Sequence, residues 1–376
     1  MYNLDMLNNK KVIGFICECN PFHEGHKRLI KEAKKEAEII IAVMSGSFVQ
    51  RGEPAVYDKY SRAKKLIKNG VSLVIELPIE YSLSSAKYFA LYSVKILNSL
   101  GFVDKLIFGS KINNIEKLTK YADINLKNEN SNKIKNLLKI GQSYSKALSI
   151  LYDKKLTSND ILAVEYICAI KSLKSKIEPI SIKRENDLPT ASELRKGISK
   201  KISNDSLSPI LNYKILLAKN NLYNIKNTNL ITDDVYNSIL KLPNNSNSFT
   251  KTAKLLKTKN RTLAFIKRVL LNIIFDINKD DIISINHFPK YMRILGVRKD
   301  FLSYLKNIKV PYLLSYSPSS YKAFVKNFSK SKEVILNDDT TFSLSRQMSI
   351  NIFASNLYNL ISKNNLKENA TKVLIV

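Results

Sequence analysis

Cysteine is nearly absent. The 376-residue chain has three, Cys17, Cys19 and Cys168, too few for a disulfide framework and one short of a four-ligand zinc site. A reduced, intracellular setting is expected. Long apolar runs are missing too: the longest, such as 39–44, are strand-sized, against the roughly 20 residues a membrane span needs. The N-terminal MYNLDMLNNKK holds no signal-peptide core, so the chain reads as cytoplasmic and not membrane-bound. Acidic residues are scarce beside basic ones, 32 against 61, giving a formal charge of +29 that draws polyanions as partners. Arginine is scarce as well, ten among those 61. The matching excess of Lys, Ile and Asn points to A/T-rich codon usage, so part of the charge is compositional and the few arginines carry more information. Apolar material is plentiful, 44% hydrophobic and 9% aromatic. This excludes a disordered or collagen-like chain and suffices for a sizeable core in one large or two ordinary domains.

Short β-branched runs alternate with helical patterns through the first half. Strands are predicted at 11–17, 38–44, 72–77, 105–108 and 179–183, and the first four are separated by stretches long enough for parallel crossovers. This is the βαβ signature of an α/β, doubly wound, mostly parallel sheet. A helix is predicted over 158–170, with Ser158, Asn159 or Asp160 as its cap. After about residue 200 strand-like alternation fades, with polar breaks at 203–208 and 243–248. We therefore expect two domains, 1–200 as the sheet and 201–376 as a mainly helical, basic appendage. Residues 251–309 hold fourteen Lys or Arg against four Asp and no Glu, a net +10. That stretch is a candidate phosphate-backbone surface.

Directly after the first predicted strand comes Cys19-Asn20-Pro21-Phe22-His23-Glu24-Gly25-His26, and a helical pattern follows at once. Two of the three histidines thus stand where a strand hands over to a helix, at the ligand-binding edge of an open α/β sheet. Helix N-terminal amides favour phosphate, Gly25 allows close approach, and paired imidazoles can donate to phosphate oxygens. When a nucleoside triphosphate is attacked at its α-phosphorus, donors placed on the growing charge lower the barrier. H-E-x-x-H zinc spacing is absent, and no metal ligand set is expected. His287 has no comparable context and reads as structural.

Asn-Pro-Phe-His-x-Gly-His after an N-terminal strand resembles the H-x-G-H signature of the nucleotidyltransferase superfamily, with its Rossmann-like sheet. The longer run, 13–26, then 43–55, Asp58-Lys59 and Arg62-Ala63, resembles the bacterial tRNA(Met) cytidine acetate ligase family. Phe108-Gly109-Ser110, 158–163, Ile182-Lys183-Arg184 and 291–296 extend the likeness over most of the chain. The resemblance implies an ATP-dependent ligase that activates acetate as acetyl-adenylate and transfers the acetyl group to N4 of the wobble cytidine of elongator tRNA(Met). It implies tRNA and acetate as partners, Mg²⁺ beside ATP, and neither DNA nor membrane. The family's ATP loop maps onto Ile16, Cys17, Glu18, Cys19, Asn20, Pro21, Phe22, His23, Glu24, Gly25, His26, Lys27, Arg28 and Leu29, with His23 and His26 catalytic. Later nucleotide contacts map onto Gly109, Asn159 and Arg184.

Those positions make physical sense. Gly109 ends a strand where a side chain would crowd adenosine, Asn159 offers a donor and an acceptor at a helix start, and Arg184 presents a phosphate-matching fork. Gln50 and Arg51 follow the second strand and suit acetate, phosphate or RNA. Asp58, Lys59 and Arg62 open the next helix and either orient that loop or serve as structural ion pairs. Ser192 and Arg195, in Thr-Ala-Ser-Glu-Leu-Arg, resemble imperfectly a second nucleotidyltransferase signature and are possible substrate or tRNA contacts. Departures from the family pattern are Lys111, Asp160 in place of a second Asn, and Cys17 and Cys19 around Glu18; Cys17 reads as strand packing and Cys19 as a loop residue near ATP. Competing readings are a class I aminoacyl-tRNA synthetase, whose second motif has a faint echo at 329–332, another adenylyltransferase, and a non-catalytic tRNA-binding protein.

Overall fold

The computed structural model describes residues 7, 9–140, 142–152, 156–184, 189–198, 202–243, 248–283, 291–317, 319, 320, 322, 324 and 338–376. His287 and the 329–332 echo lie outside the described residues. The first half runs β1 (Val12–Cys17), α1 (Glu24–Glu36), β2 (Ile39–Ser45), β3 (Phe48–Val49), β4 (Glu53–Pro54), α2 (Lys59–Lys68), β5 (Leu73–Leu77), α3 (Ile79–Ser82), α4 (Ala86–Ser99) and β6 (Lys105–Ser110). There follow α5 (Ile115–Leu126), α6 (Asn128–Lys139), α7 (Tyr144–Leu151), α8 (Ser158–Ser172), β7 (Glu178–Lys183) and α9 (Ala191–Lys196). The rest comprises α10 (Ser208–Lys219), α11 (Asp233–Leu240), α12 (Phe249–Leu256), α13 (Leu263–Phe275), α14 (Lys279–Ile283), β8 (Met292–Val297), β9 (Tyr312–Leu313), α15 (Asp338–Ser362) and β10 (Leu374–Ile375).

One sheet carries the order β10-β8-β5-β2-β1-β6-β7, with β9 beside β8. The five strands predicted from the first half, within two residues at each end, pair in parallel. The chain leaves β1 toward β2 and β5 on one side and returns to β6 and β7 on the other. The order therefore reverses between β1 and β6, which is where an open α/β sheet opens a crevice at its carboxyl edge.

Alternate residues of β2 supply two cores. Ile39, Ile41 and Val43 face a layer that includes Phe89, Leu97, Val164 and Ile167 of α4 and α8. Ile40, Ala42 and Met44 face Ile30 and Ala33 of α1 and Ala63 and Leu66 of α2. Both faces are covered, so β2 needs an unbroken apolar run, IIIAVMS, rather than alternation.

Beyond residue 200 the chain is helical from α10 to α14, then returns to the sheet. β8 pairs antiparallel with β5, and β9 and β10 run parallel to β8. The second half is mainly helical and also lends three strands to the sheet of the first. Six residues with Arg293 and Gly296 among them do not advertise a strand; β8 is buried throughout because it lies between β5 on one side and β9 and β10 on the other. Among the described residues no helix is long and apolar enough to cross a membrane.

Candidate functional site

The turn from β1 to α1 is closed by its two histidines. His23 is the N-cap of α1, its Nδ1 accepting from the Gly25 amide at 3.0 Å, while His26 Nδ1 accepts from the His23 amide at 3.2 Å. This is a capping box built from imidazoles in place of the usual hydroxyl and carboxylate. An Nδ1 that accepts carries no proton, so the neutral His23 ring bears its hydrogen on Nε2. The rings lie 4.0 Å apart by centroid, and Phe22 stacks on His26 at 5.6 Å. Burial, then the neighbouring His26 and Arg184, hold the His23 pKa down at about 4, so the neutral donor form persists across the physiological range. Gly25 is required by the cap itself: a Cβ there would stand 2.8 Å from His23 Cε1.

The preceding residues are fixed by the fold. Asn20 is buried, its Oδ1 accepting from the Val56 amide at 2.8 Å and its carbonyl from Arg195 at 2.7 Å. Arg195 therefore braces the turn from α9, while Ser192 is exposed one helical turn earlier. Cys17 packs in the core as expected, and Cys19 is fully buried with its sulfur 3.2 Å from that of Cys17. Ile16 and Leu29 pack against the two cores. Glu24 and Lys27 pair with each other at the surface, 2.6 Å apart.

The segment after β2 is tied to the turn. Glu18 Oε1 accepts from the Gln50 amide at 2.7 Å; burial raises its pKa, opposed by that amide and by Arg51 and Arg195. Fully buried Arg62 donates to the carbonyls of Glu18 at 2.7 Å, Ser45 at 2.9 Å and Tyr57 at 3.0 Å, and to that of Gly46. From the second half, Arg268 donates to the Gln50 carbonyl at 2.9 Å and Lys267 pairs with Glu53 at 2.6 Å. Burial pulls the Arg268 pKa down to about 10. Arg51 stays exposed.

Gly109 and Arg184 meet at the ends of β6 and β7. The Arg184 stem lies over Gly109, where a Cβ would come within 3.1 Å of Cγ, and its charge reaches His23. Asn159 stands in the first turn of α8. The cap of that helix is Thr157, not Ser158, Asn159 or Asp160: the Thr157 hydroxyl accepts from the Asp160 amide at 3.3 Å, and Asp160 Oδ2 takes the Thr157 amide at 3.2 Å. The other oxygen, Oδ1, accepts from Ser110 Oγ at 2.7 Å and the Lys111 amide at 2.9 Å. Burial opposes ionisation of Asp160, but these bonds outweigh it and its pKa is lowered. A carboxylate is needed here, since both oxygens accept; an Asn side chain has one. Asp160 thus staples the β6 end to the α8 start, bringing Gly109 and Asn159 to one edge. Glu18, Arg62, Asp160 and Arg268 are positioning residues; sequence patterns name the first three, in the ATP loop, at the head of α2 and as a possible cap, but not their bonds to groups distant in the chain, and they do not name Arg268. The scarcity of arginine in a lysine-rich sequence is the one signal that marks Arg268, and it adds weight to Arg62 and Arg195.

The site so built has neutral imidazole donors, an arginine fork and a helix N-terminus converging at a sheet switch point, an arrangement suited to phosphate. The HIGH nucleotidyl transferase family model matches residues 10–199 and 188–372. A tRNA(Met) cytidine acetate ligase of a Thermoanaerobacter species is 31% identical, covering 94% of this chain and 96% of its own length. That of Fusobacterium nucleatum is 34% identical, covering 80% and 86%. Among solved structures, Thermotoga maritima TmcAL bound with alpha-thio ATP is similar with a TM-score of 0.84 at 25% identity, over 97% of this chain and 99% of that one. The chain belongs to the tRNA(Met) cytidine acetate ligase family of HIGH nucleotidyl transferases.

Proposed function

We propose that this chain activates acetate with ATP and transfers the acetyl group to N4 of the wobble cytidine of elongator tRNA(Met), in the cytoplasm. The observation that carries the reading is the reciprocal His23–His26 cap. It fixes the His23 tautomer so that its Nε2–H remains beside the α1 N-terminus, near Arg184, with the His26 ring alongside it and against the Cys19 thiol. In the first step an acetate oxygen attacks the α-phosphorus and the bond to pyrophosphate breaks. Negative charge grows on the phosphoryl and departing oxygens, where His23, His26 and Arg184 donate without reorganisation. ATP lies along 16–29, with Asn20 setting the turn and Gly109 and Asn159 at the adenosine side. In the second step the cytidine N4 amine attacks the acetyl carbonyl, the carbonyl–AMP bond breaks, and the amine loses a proton. A single-stranded anticodon base is unstacked for this at low cost.

Mg²⁺ enters the proposal only as a counter-ion travelling with the triphosphate. The histidine Nδ1 atoms are committed to the cap, and no group of three or more His, Cys, Asp or Glu fit to hold a metal occurs among the described residues. The donors among the described residues therefore do not form a protein-held metal site. For tRNA, the exposed lysines around α12 offer phosphate contacts, since Phe249, Ala253 and Leu256 are turned inward and Lys254, Lys257 and Lys259 outward. Gln50, Arg51 and Ser192 lie nearer the turn and are assigned to acceptor or acetate contacts. The test is isotope transfer: protein, ATP, Mg²⁺, labelled acetate and unmodified elongator tRNA(Met), followed by nucleoside mass spectrometry. Labelled N4-acetylcytidine is expected, with acetate-dependent pyrophosphate exchange in a control without tRNA. Exchange with a different acid, and no label in tRNA, would leave the adenylate chemistry and remove the acceptor.

A further inference from the structure

Cys17 closes β1 and Cys19 opens the turn that carries the two histidines. Both are free thiols, 7% and 0% exposed, and their sulfurs are 3.2 Å apart. The backbone brings them together: Cys19 has φ +48°, a left-handed conformation uncommon for a residue with a Cβ, which folds its thiol back over that of Cys17. A disulfide bond is about 2.05 Å long, so the two sulfurs have only about an ångström to close. Their acidities are split. Burial raises both, but at Cys19 the hydrogen bond from Cys17, the adjacent His26 and Arg62 outweigh it and bring the pKa to about 5. Cys17 is pushed well up by burial and by Cys19. A thiolate against a protonated thiol is the pairing in which one sulfur attacks an oxidant and the other resolves it.

We propose that Cys17 and Cys19 form an oxidisable dithiol, which hydrogen peroxide converts into an intramolecular disulfide that disables the nucleotide site. The Cys19 thiolate attacks the O–O bond and becomes a sulfenic acid as hydroxide leaves and is protonated. The Cys17 sulfur then displaces that hydroxyl as water, so two thiols and one peroxide give one disulfide and two waters. Peroxide is close to water in size, and half-exposed Phe22 and His26 are neighbours of the two thiols. Closure removes the thiolate beside His26 and pulls on residues 18–20, whose carbonyls Arg62 and Arg195 clamp at Glu18 and Asn20. The capping geometry of His23 and His26 cannot be kept while that turn is drawn toward β1. Cys168 is an internal reference: it is buried in α8, with its pKa pushed up to about 12 by burial and Glu165, and has no second thiol beside it.

Disulfide formation stands on the thiol geometry alone, whereas the loss of activity rests on the nucleotide reading of the turn. Full-length protein is treated with hydrogen peroxide, quenched, and divided between intact mass analysis and acetate-dependent pyrophosphate exchange. The expected result is loss of the mass of two hydrogens, a peptide linking 17 to 19, and exchange lowered about 100-fold, the scale of one misplaced charge-stabilising donor. Dithiothreitol should restore both. Cys19→Ala should be insensitive, Cys17→Ala should gain oxygen at Cys19 with no cross-link, and Cys168→Ala should behave as the parent. In the parent chain, oxygen added at one cysteine without a cross-link, or no oxidation at all, overturns the dithiol. A cross-linked protein that exchanges at its untreated rate overturns the switch. Untreated protein with no exchange at all counts against the proposed function, while the mass measurement still judges the disulfide.

Discussion

Two clusters of charge lie on either side of the segment between β2 and α2, and they differ in what their charges face. In the junction beneath it, Lys59, Glu76 and Glu368 are at most 4% exposed. Lys59 Nζ lies 2.8 Å from each carboxylate and 3.0 Å from Ser355 Oγ, Tyr60 donates to Glu368 at 3.1 Å, and Arg293 donates to Tyr60 at 3.1 Å. Two cations meet two anions, drawn from α2, β5, β8 and the segment after α15. At the β1–α1 turn, by contrast, Arg51, Arg62, Arg195 and Arg268 act on one carboxylate, Glu18, Arg184 acts on His23, and the histidines are half-exposed. The first cluster is compensated within the chain and holds its two halves together. Among the described residues the second holds more positive charge than Glu18, Glu24 and Glu53 offset, at an open edge, the condition for taking up an anion.

The largest effect is expected from breaking the compensated cluster. Lys59→Met leaves two carboxylates buried against each other and should cost about 3–5 kcal/mol of unfolding free energy, read by denaturant titration. Adding Glu76→Gln should recover part of it. A loss below about 1 kcal/mol would mean that the carboxylates are held protonated by their burial, and that the ion pair is not the tie between halves.

Next comes His26→Ala, which removes a donor from the open cluster. Pyrophosphate exchange should fall about 10²–10³-fold, while tRNA binding by filter retention stays within about twofold and stability drops by about 1 kcal/mol for the lost cap acceptor. A parallel fall in tRNA binding would move the effect from chemistry to folding. His23 gives the pH counterpart. Its folded pKa of about 4 lies below the usual value near 6.5, so between the two the unfolded chain binds more protons. Its contribution to stability is therefore complete above pH 6.5 and lost as pH falls toward 4. Stability of His23→Gln should fall less steeply over that window, and identical slopes would refute the assignment.

The contrast also explains what the sequence makes legible. Five strands are visible because each is a short apolar run set off by helical stretches, most plainly in β2, which is covered on both faces, and the histidine turn is visible because its residues are contiguous. The junction is not, since Lys59, Glu76, Arg293 and Glu368 are scattered over about 300 positions and each looks like a surface charge. Asp58, Lys59 and Arg62, adjacent in sequence, divide three ways. Asp58 caps α2 at Ser61, Lys59 enters the junction, and Arg62 gathers carbonyls from the turn. Asp160 looks like a departure from a family Asn, yet its two accepting oxygens make it the staple between β6 and α8. Asp160→Asn should cost about 1–3 kcal/mol for a buried donor left unpaired, with a raised KM for ATP and an unchanged tRNA affinity. An unchanged KM would detach that staple from the site.

The smallest effect tests whether positive excess at the surface does what it does at the turn. The basic stretch 251–309 divides by partner: Lys267 and Arg268 are committed to Glu53 and the Gln50 carbonyl, Arg293 to the junction, and Arg298 to Asp300. Lys254, Lys257 and Lys259 are exposed, and only such residues can release counter-ions when a phosphate arrives. Replacing these three with Gln should leave stability within about 0.5 kcal/mol and acetate-dependent exchange without tRNA unchanged. The logarithm of tRNA affinity against that of salt should lose roughly 0.7–0.9 in slope for each phosphate contact removed. Substituting three equally exposed lysines of α1, Lys31, Lys34 and Lys35, gives the matched control for net charge. If both triples flatten the slope alike, the +29 acts as a diffuse field; if only the first does, α12 is the docking face; and if neither does, the tRNA is held elsewhere and the surface charge is compositional.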